Sequence, residues 1–212
     1  MAQIDTHPFW GNKSPLAHVS YIPFLLYASV RFSIAIMSTA ALIWTYVLTS
    51  LTILVAAGAI PRTFKPMVQV FISSFWALVF GVLIYLFSPI LFYDIQFPVA
   101  FTAVLFMLSG LGEKIAVENF SSGLKKTIVE ALVISLIILL FSLVREPFGF
   151  GALSLPTNEG IKEILTSDIA SDIAIKSIAT ASGGLIVLGF IVGLYRIVKD
   201  MFLTYYSQRE NQ

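Results

Sequence analysis

The sequence predicts an all-α, polytopic membrane protein. Three observations lead there: the ratio of apolar to charged residues, the length of the apolar runs, and the uneven placement of lysine and arginine between them. Of the 212 residues, 58% are hydrophobic and 12% are charged. A soluble domain carries roughly 25% charged residues. The 13 basic and 12 acidic side chains are too few to cover a soluble domain of this length, and the apolar content excludes a disordered chain. A net charge of +1 leaves no electrostatic footprint for nucleic acid.

A crossing takes about 20 mostly apolar residues. Tyr21 to Ile60 carries one charge, Arg31. Its roughly 40 residues would extend about 60 Å as helix, enough for two crossings. These are expected at 21–41 and 42–60, with a break near Ser38–Thr39 or Trp44–Thr45. Pro61, Arg62, Lys65 and Pro66 form a short basic turn, and 67–87 is the third span. Ser88 to Phe97 reads as a connector. The fourth span, 97–112, is short and opens on Pro98. The fifth and sixth are expected at 127–144 and 177–195. The six spans form one membrane domain over 21–198, flanked by a cytoplasmic segment 1–20 and a cytoplasmic tail 199–212. The first apolar run is too long for the core of a signal peptide. In the outer stretch 158–174, Ile161, Ile164, Leu165, Ile169 and Ile173 fall on one helical face. That pattern predicts an amphipathic helix on the membrane surface, or equally a cap over the outer loops.

Six crossings put Lys13, Arg62, Lys65, Lys114, Lys125, Lys126, Arg196, Lys199 and Arg209 on one side, against Arg145, Lys162 and Lys176 on the other. The excess of basic residues predicts that both termini are cytoplasmic. The chain also divides near residue 90 into two three-span halves. Each opens on a proline-led run, at Ile22-Pro23-Phe24-Leu25 and Phe97-Pro98-Val99-Ala100. Three spans per half would make an inverted repeat, with short or broken first and fourth helices meeting near the midplane.

Few residues carry chemistry. Cysteine is absent, and the two histidines, His7 and His18, precede the first apolar run. Thiolate chemistry, disulfides and Cys-ligated metal centres are excluded for this chain alone. Arg31 lies about ten residues into the first run, where a guanidinium costs at least about 2.5–3.5 kcal/mol. It either faces a partner at a functional interface or snorkels to the surface. Glu130 sits about one turn inside the fifth span, as an ion or proton ligand or as an interfacial carboxylate favoured by the helix dipole. Glu113, Lys114 and Glu118 line a cytoplasmic vestibule or a solvated loop. Arg145-Glu146-Pro147-Phe148-Gly149-Phe150-Gly151 reads as a helix stop, because Pro147 opposes helix continuation and the glycines permit a tight turn. Ser182-Gly183-Gly184 and Gly189-Gly193 offer small surfaces for helix contact.

The run Arg145-Glu146-x-Phe148-Gly149-x-Gly151-x-Leu153 resembles the R-E-x-[FL]-G-x-G-x-L run of the D/E-type membrane subunits of Na⁺-translocating NADH:quinone oxidoreductase (Nqr) and the related Rnf electron-transport complexes. Ala116-Val117-Glu118-Asn119-Phe120, Ser182-Gly183-Gly184-Leu185-Ile186-Val187-Leu188-Gly189 and Ile60-Pro61-Arg62 are similar to further runs of that family. The resemblance implies a six-helix inverted repeat that pairs with a homologous subunit, or with its own copy, inside a complex containing flavin and iron–sulfur subunits. It also implies an iron centre held by cysteines from each short helix. At those positions this chain reads Ser29-Val30-Arg31-Phe32-Ser33 and Leu108-Ser109-Gly110-Leu111-Gly112. No cysteine is present, so this chain alone is expected to bind no iron or other cofactor. Arg31, Phe32 and Ser109 become candidate midplane or ion-path residues, with Glu113, Glu118 and Glu130. Arg31 would supply the positive charge a metal would otherwise bring. The expected function is a membrane subunit of an ion-translocating redox complex. The alternatives are a stand-alone ion or small-solute transporter, a substrate-binding membrane component of a vitamin transporter, and a membrane scaffold.

Overall fold

A computed structural model describes residues 21–56, 61, 64–115, 120–166 and 174–210. In chain order the elements are α1 (Ile22–Ala28), α2 (Phe32–Ala56), α3 (Lys65–Phe87), α4 (Pro89–Leu108), α5 (Leu111–Ile115), α6 (Phe120–Phe150), β1 (Ala152–Thr157), β2 (Gly160–Thr166), α7 (Lys176–Ala179) and α8 (Ala181–Glu210). Helices α2, α3, α4 and α6 are long and apolar enough to cross a membrane, and α8 adds a shorter apolar stretch, Ala181–Leu194.

Prolines and serines set several of the helix starts. Pro23, Pro66 and Pro89 stand in the first turns of α1, α3 and α4, where a missing N–H costs nothing. Ser88 caps α4, its Oγ accepting the Leu91 N–H at 3.3 Å. Gly151, at φ +66°, ends α6 in the left-handed conformation that favours glycine, and its N–H donates to Pro147 O at 2.9 Å.

Helix α2 is the central element, packed against α3, α4, α6 and β1. Its buried face is unusually rich in small hydroxyl residues, among them Ser38, Thr45, Thr49 and Ser50. Helix α6 answers with Thr127, Ala131, Ser135 and Ser142. Small side chains let helices approach closely, and hydroxyls bond across the seam. The Ser50 and Thr127 hydroxyls are 2.9 Å apart, and those of Thr45 and Thr102 on α4 are 3.1 Å apart. Tyr46 packs edge-on against Phe106. The outside of the bundle is apolar as well. Helix α3 buries Gln69, Ser73, Ala77, Phe80 and Gly81, while Met67, Phe71, Leu78 and Leu86 point outward, exposed. Bulky apolar groups outside and small polar ones inside match a lipid surround.

The structure corrects several expectations. The first apolar run is not two spans of 21–41 and 42–60. It is short α1, a break at Ser29-Val30-Arg31, and one uninterrupted α2. Ser38, Thr39 and Thr45 do not break the helix because their side chains are buried in its packing seam. The connector expected at 88–97 is already helix, since the Ser88 cap and Pro89 start α4 there. Pro98 therefore lies inside α4 rather than at a helix start, unlike Pro23, and the two proline-led runs do not correspond. Helix α6 passes through Arg145 and Pro147 to Phe150, so the expected stop falls one turn later. The sixth span is interrupted at Thr180, between α7 and α8. The tail expected from 199 is helical to Glu210, as no glycine or proline follows Gly193.

The expected amphipathic helix is also corrected over its first half, where the otherwise helical chain carries one small hairpin. Ala152–Thr157 and Gly160–Thr166 form an antiparallel hairpin, with Thr157 opposite Gly160 and a register shift between Leu153 and Ser154. The two-residue turn Asn158-Glu159 and Gly160 at φ +110° supply hairpin chemistry that the isoleucine spacing concealed. The turn is tied by the Thr157 hydroxyl, which donates to Gly160 O at 2.7 Å. Residues 167–173 of that expected helix, and the segment 1–20, lie outside the described residues.

The Ser88 cap gives a stability test. Ser88→Ala should lower the unfolding free energy by about 1 kcal/mol, measured by thermal unfolding of the full chain in detergent. An unchanged melting temperature would mean that the cap does not hold the α3–α4 corner.

Candidate functional site

Arg145 and Glu146 are adjacent on α6, and each is only 1% exposed. A guanidinium carries five N–H donors in a fixed fork. At Arg145 all five have acceptors. Nε donates to Ile178 O at 3.1 Å. Nη1 donates to Leu26 O and to Ser29 Oγ, the latter at 3.0 Å. Nη2 donates to Ala179 O at 3.0 Å and Thr180 O at 2.9 Å. Four acceptors are carbonyls at the C-terminal ends of α1 and α7, where the helix dipole places partial negative charge. A buried guanidinium without acceptors would be costly, and these carbonyls are the groups that keep the cation solvated.

Glu146 faces the other side of the same break. Its Oε2 accepts the Phe32 N–H, the first of α2, at 2.7 Å. The neighbouring Ser33 N–H donates to Ser154 Oγ on β1 at 3.3 Å. The Arg145-Glu146 pair therefore straddles Ser29-Val30-Arg31: the cation takes the carbonyl end of α1, and the anion takes the N–H end of α2. The geometry explains the glycines nearby. A Cβ on Gly184 would stand 2.8 Å from Arg145 Cζ, and one on Gly149 would stand 3.0 Å from Ala179 N. Phe148 is exposed, and its carbonyl accepts the Ile175 N–H at 2.9 Å.

Arg31 lies in the break at the hairpin end of the bundle. Its Nη1 is 3.4 Å from Glu163 Oε1, with side chains 31% and 42% exposed, and its Cζ stands 5.1 Å from the Phe150 ring centroid. Ser109 lies far from it. Helices α2 and α4 both start at the hairpin end, so at 1.5 Å per residue Tyr46 stands about 20 Å along α2 and Ser109 about 30 Å along α4. The structure does not bring Arg31 and Phe32 together with Ser109. Ser109 closes α4, its hydroxyl donating to Phe106 O at 2.7 Å and accepting the Leu111 N–H at 3.2 Å. Gly110, at φ +61°, turns the chain into α5.

A second polar cluster lies around that turn. The Tyr21 hydroxyl donates to Glu130 Oε1 at 3.2 Å. Tyr46 is fully buried, and its hydroxyl lies close to Tyr21, Glu130 and Ser109. Glu130 is half-buried. Glu113 is in α5, its side chain outside the described residues, as is all of Glu118. Among the described residues no three His, Asp or Glu side chains gather as a metal-binding group.

Sequence reasoning singled out Glu130, Arg145 and Glu146 and missed their partners. Tyr21 lies 109 positions from Glu130, and Ser29 lies 116 positions from Arg145. The short helix α7 gave no periodic signal. Only Gly184, read as a packing glycine, pointed toward the guanidinium. Compared with family models and with curated proteins, the chain matches none.

The clasp and the surface ion pair should respond very differently to substitution. Arg145→Lys leaves at least two of the five acceptors without a donor, at about 1–3 kcal/mol for each that is buried, and should sharply reduce the yield of detergent-stable protein. Gly184→Ala should destabilise through the same guanidinium without touching any charge. Glu163→Gln, which removes an exposed pair, should change the unfolding free energy by less than about 1 kcal/mol. Equal effects in thermal unfolding would show that the Arg145 network does not hold the helix ends.

Proposed function

We propose that this chain is a membrane-embedded subunit of an ion-translocating electron-transport complex of the Rnf/Nqr type, contributing frame and ion path. The observation that carries this reading is the Arg145-Glu146 clasp. The run with the most specific resemblance to that family is also the run that holds an interrupted helix open, with its two ends satisfied by adjacent charges. Interrupted helices are how membrane transport proteins place backbone polar groups beside an ion or substrate path.

The residues at the positions of the family's iron ligands do not fit an iron centre. Arg31 is a cation engaged with Glu163, the Phe32 N–H is held by Glu146, and the Ser109 hydroxyl is committed to Phe106 and Leu111. No electron-transfer step is assigned to this chain. Redox groups belong to partner subunits in this reading, and a homologous membrane subunit or a second copy completes the membrane part. The basic residues Arg62, Lys65, Lys125 and Lys126 support a cytoplasmic location for the end of the bundle opposite the hairpin.

The test is mass spectrometry of what co-purifies with the full chain from native membranes in mild detergent. The expected result is flavoprotein and iron–sulfur subunits in fixed ratio to it. Recovery alone, or with an ATPase, would overturn the subunit reading in favour of a stand-alone transporter or a vitamin-transporter component.

A further inference from the structure

We infer that Glu130 is a proton-binding carboxylate of the membrane domain, with Tyr21 and Tyr46 as the hydroxyls that adjoin it. The inference deepens the ion-path reading above by naming the ion, and it rests on that reading only for its physiological purpose. The geometry stands by itself.

Glu130 lies one helical turn beyond Lys126, at the start of the apolar stretch of α6. A carboxylate there is costly when charged and is taken by default as functional. Its contact with α1 comes through an O–H donor: the Tyr21 hydroxyl directs its hydrogen at Oε1, across 109 positions of sequence. A phenol O–H stabilises the ionised carboxylate, and the contact survives protonation, when the acid's own O–H donates to the phenol oxygen instead. Glu130 is therefore able to take up a proton without losing Tyr21, while among the described residues no three His, Asp or Glu side chains gather there to hold a metal ion. The second observation is Tyr46. Its side chain is fully buried, and its hydroxyl lies near Tyr21, Glu130 and Ser109 without forming a full hydrogen bond to any described group. A buried hydroxyl in that condition is costly, and it stands beside the one carboxylate of the α6 apolar stretch. Three O–H groups thus extend from Glu130 toward the Ser109–Gly110 turn.

Few charged groups surround Glu130 among the described residues. Helices α1 and α2 contain no charged residue, and neither does α8 from Ala181 to Leu194. From α1 the facing titratable group is Tyr21, and from α2 it is Tyr46. On α6 itself the nearest is Lys126, and α5 carries Glu113 and Lys114, whose side chains lie outside the described residues. In the step itself, one O–H bond forms on Glu130 Oε2. The proton comes from water at the Lys125–Lys126 end and returns there on release, while Oε1 keeps the Tyr21 contact. No electron moves.

The experiment uses the full chain in lipid nanodiscs and the apolar reagent dicyclohexylcarbodiimide, which adds to protonated carboxyl groups in apolar surroundings. The adduct is located by peptide mass spectrometry across a pH series, in sodium chloride and in choline chloride at equal ionic strength. The expected result is labelling of Glu130 that falls about tenfold per pH unit above its midpoint and is the same in both salts. Glu130→Gln abolishes the adduct. Tyr21→Phe moves the midpoint, whereas Tyr27→Phe, at an exposed ring, leaves it in place. Absence of labelling at every pH overturns the proposal, as does suppression by sodium at fixed pH, which would make Glu130 a cation ligand. A midpoint indifferent to Tyr21→Phe removes the tyrosine from the site and overturns the arrangement. Co-purification from native membranes is read separately. Labelling without redox partners would sink the subunit reading alone, and partners without labelling would sink the proton site alone.

Discussion

A guanidinium taken out of water must find acceptors for five N–H groups and something to balance its charge. Arg145 meets both demands with backbone ends. The carbonyls of Leu26, Ile178, Ala179 and Thr180 lie where α1 and α7 stop, so each is a group its own helix cannot satisfy. The needs of the cation and of the helix ends cancel. Glu146 repeats the logic with opposite sign at the first N–H of α2. Two charges that would be prohibitive separately become the means by which three short or interrupted elements hold position. Small residues complete the arrangement, since a side chain on Gly184 or Gly149 would occupy the space taken by the guanidinium or by α7.

The rest of the bundle follows from its solvent. Between helices in lipid there is little hydrophobic force, because the tails are as apolar as leucine. The close approach of α2 to α6 and α4 is therefore made by Ser50, Thr127, Thr45 and Thr102, while phenylalanines and leucines of α3 face outward. The β-hairpin lies at one end, where its Ser154 reaches the start of α2 and its Glu163 meets Arg31. A hairpin in the hydrocarbon layer would expose unpaired edge groups, which accounts for its place beyond the spanning helices.

Much of this architecture was legible in the sequence, unevenly. Apolar runs located α3, α6 and the apolar part of α8 well, because length and composition decide a span. They failed at 21–60, where length alone suggested two helices and the true break was marked only by Ser29-Val30-Arg31, three residues with no proline or glycine. They failed again at 88–97, where Ser88-Pro89 was a start signal that the polar texture obscured. The hairpin was hidden because Ile161, Ile164 and Leu165 satisfy helical spacing as readily as strand pairing. For the candidate site, the charges themselves were visible as anomalies in apolar surroundings. Their partners were not, since carbonyls carry no sequence signature and Tyr21 meets Glu130 only after α1 is folded against α6.

That last contact gives α1 a particular mechanical position. The helix has seven residues; it buries Phe24, Leu25 and Ala28 in the core, and both its ends are held by charged side chains of α6. Arg145 takes its C-terminal carbonyl at Leu26 and the Ser29 hydroxyl, and Glu130 takes the Tyr21 hydroxyl at its start. Glu130 and Arg145 stand about 22 Å apart along α6, while Tyr21 to Ser29 covers about 12 Å of helix; the two long side chains and the tyrosine ring make up the difference. The Arg145 end is saturated and buried, so it is fixed. At the other end the Tyr21 hydroxyl meets a carboxylate. Both ends of α1 are thus placed by charged side chains of one helix, which ties the position of α1 to that of α6.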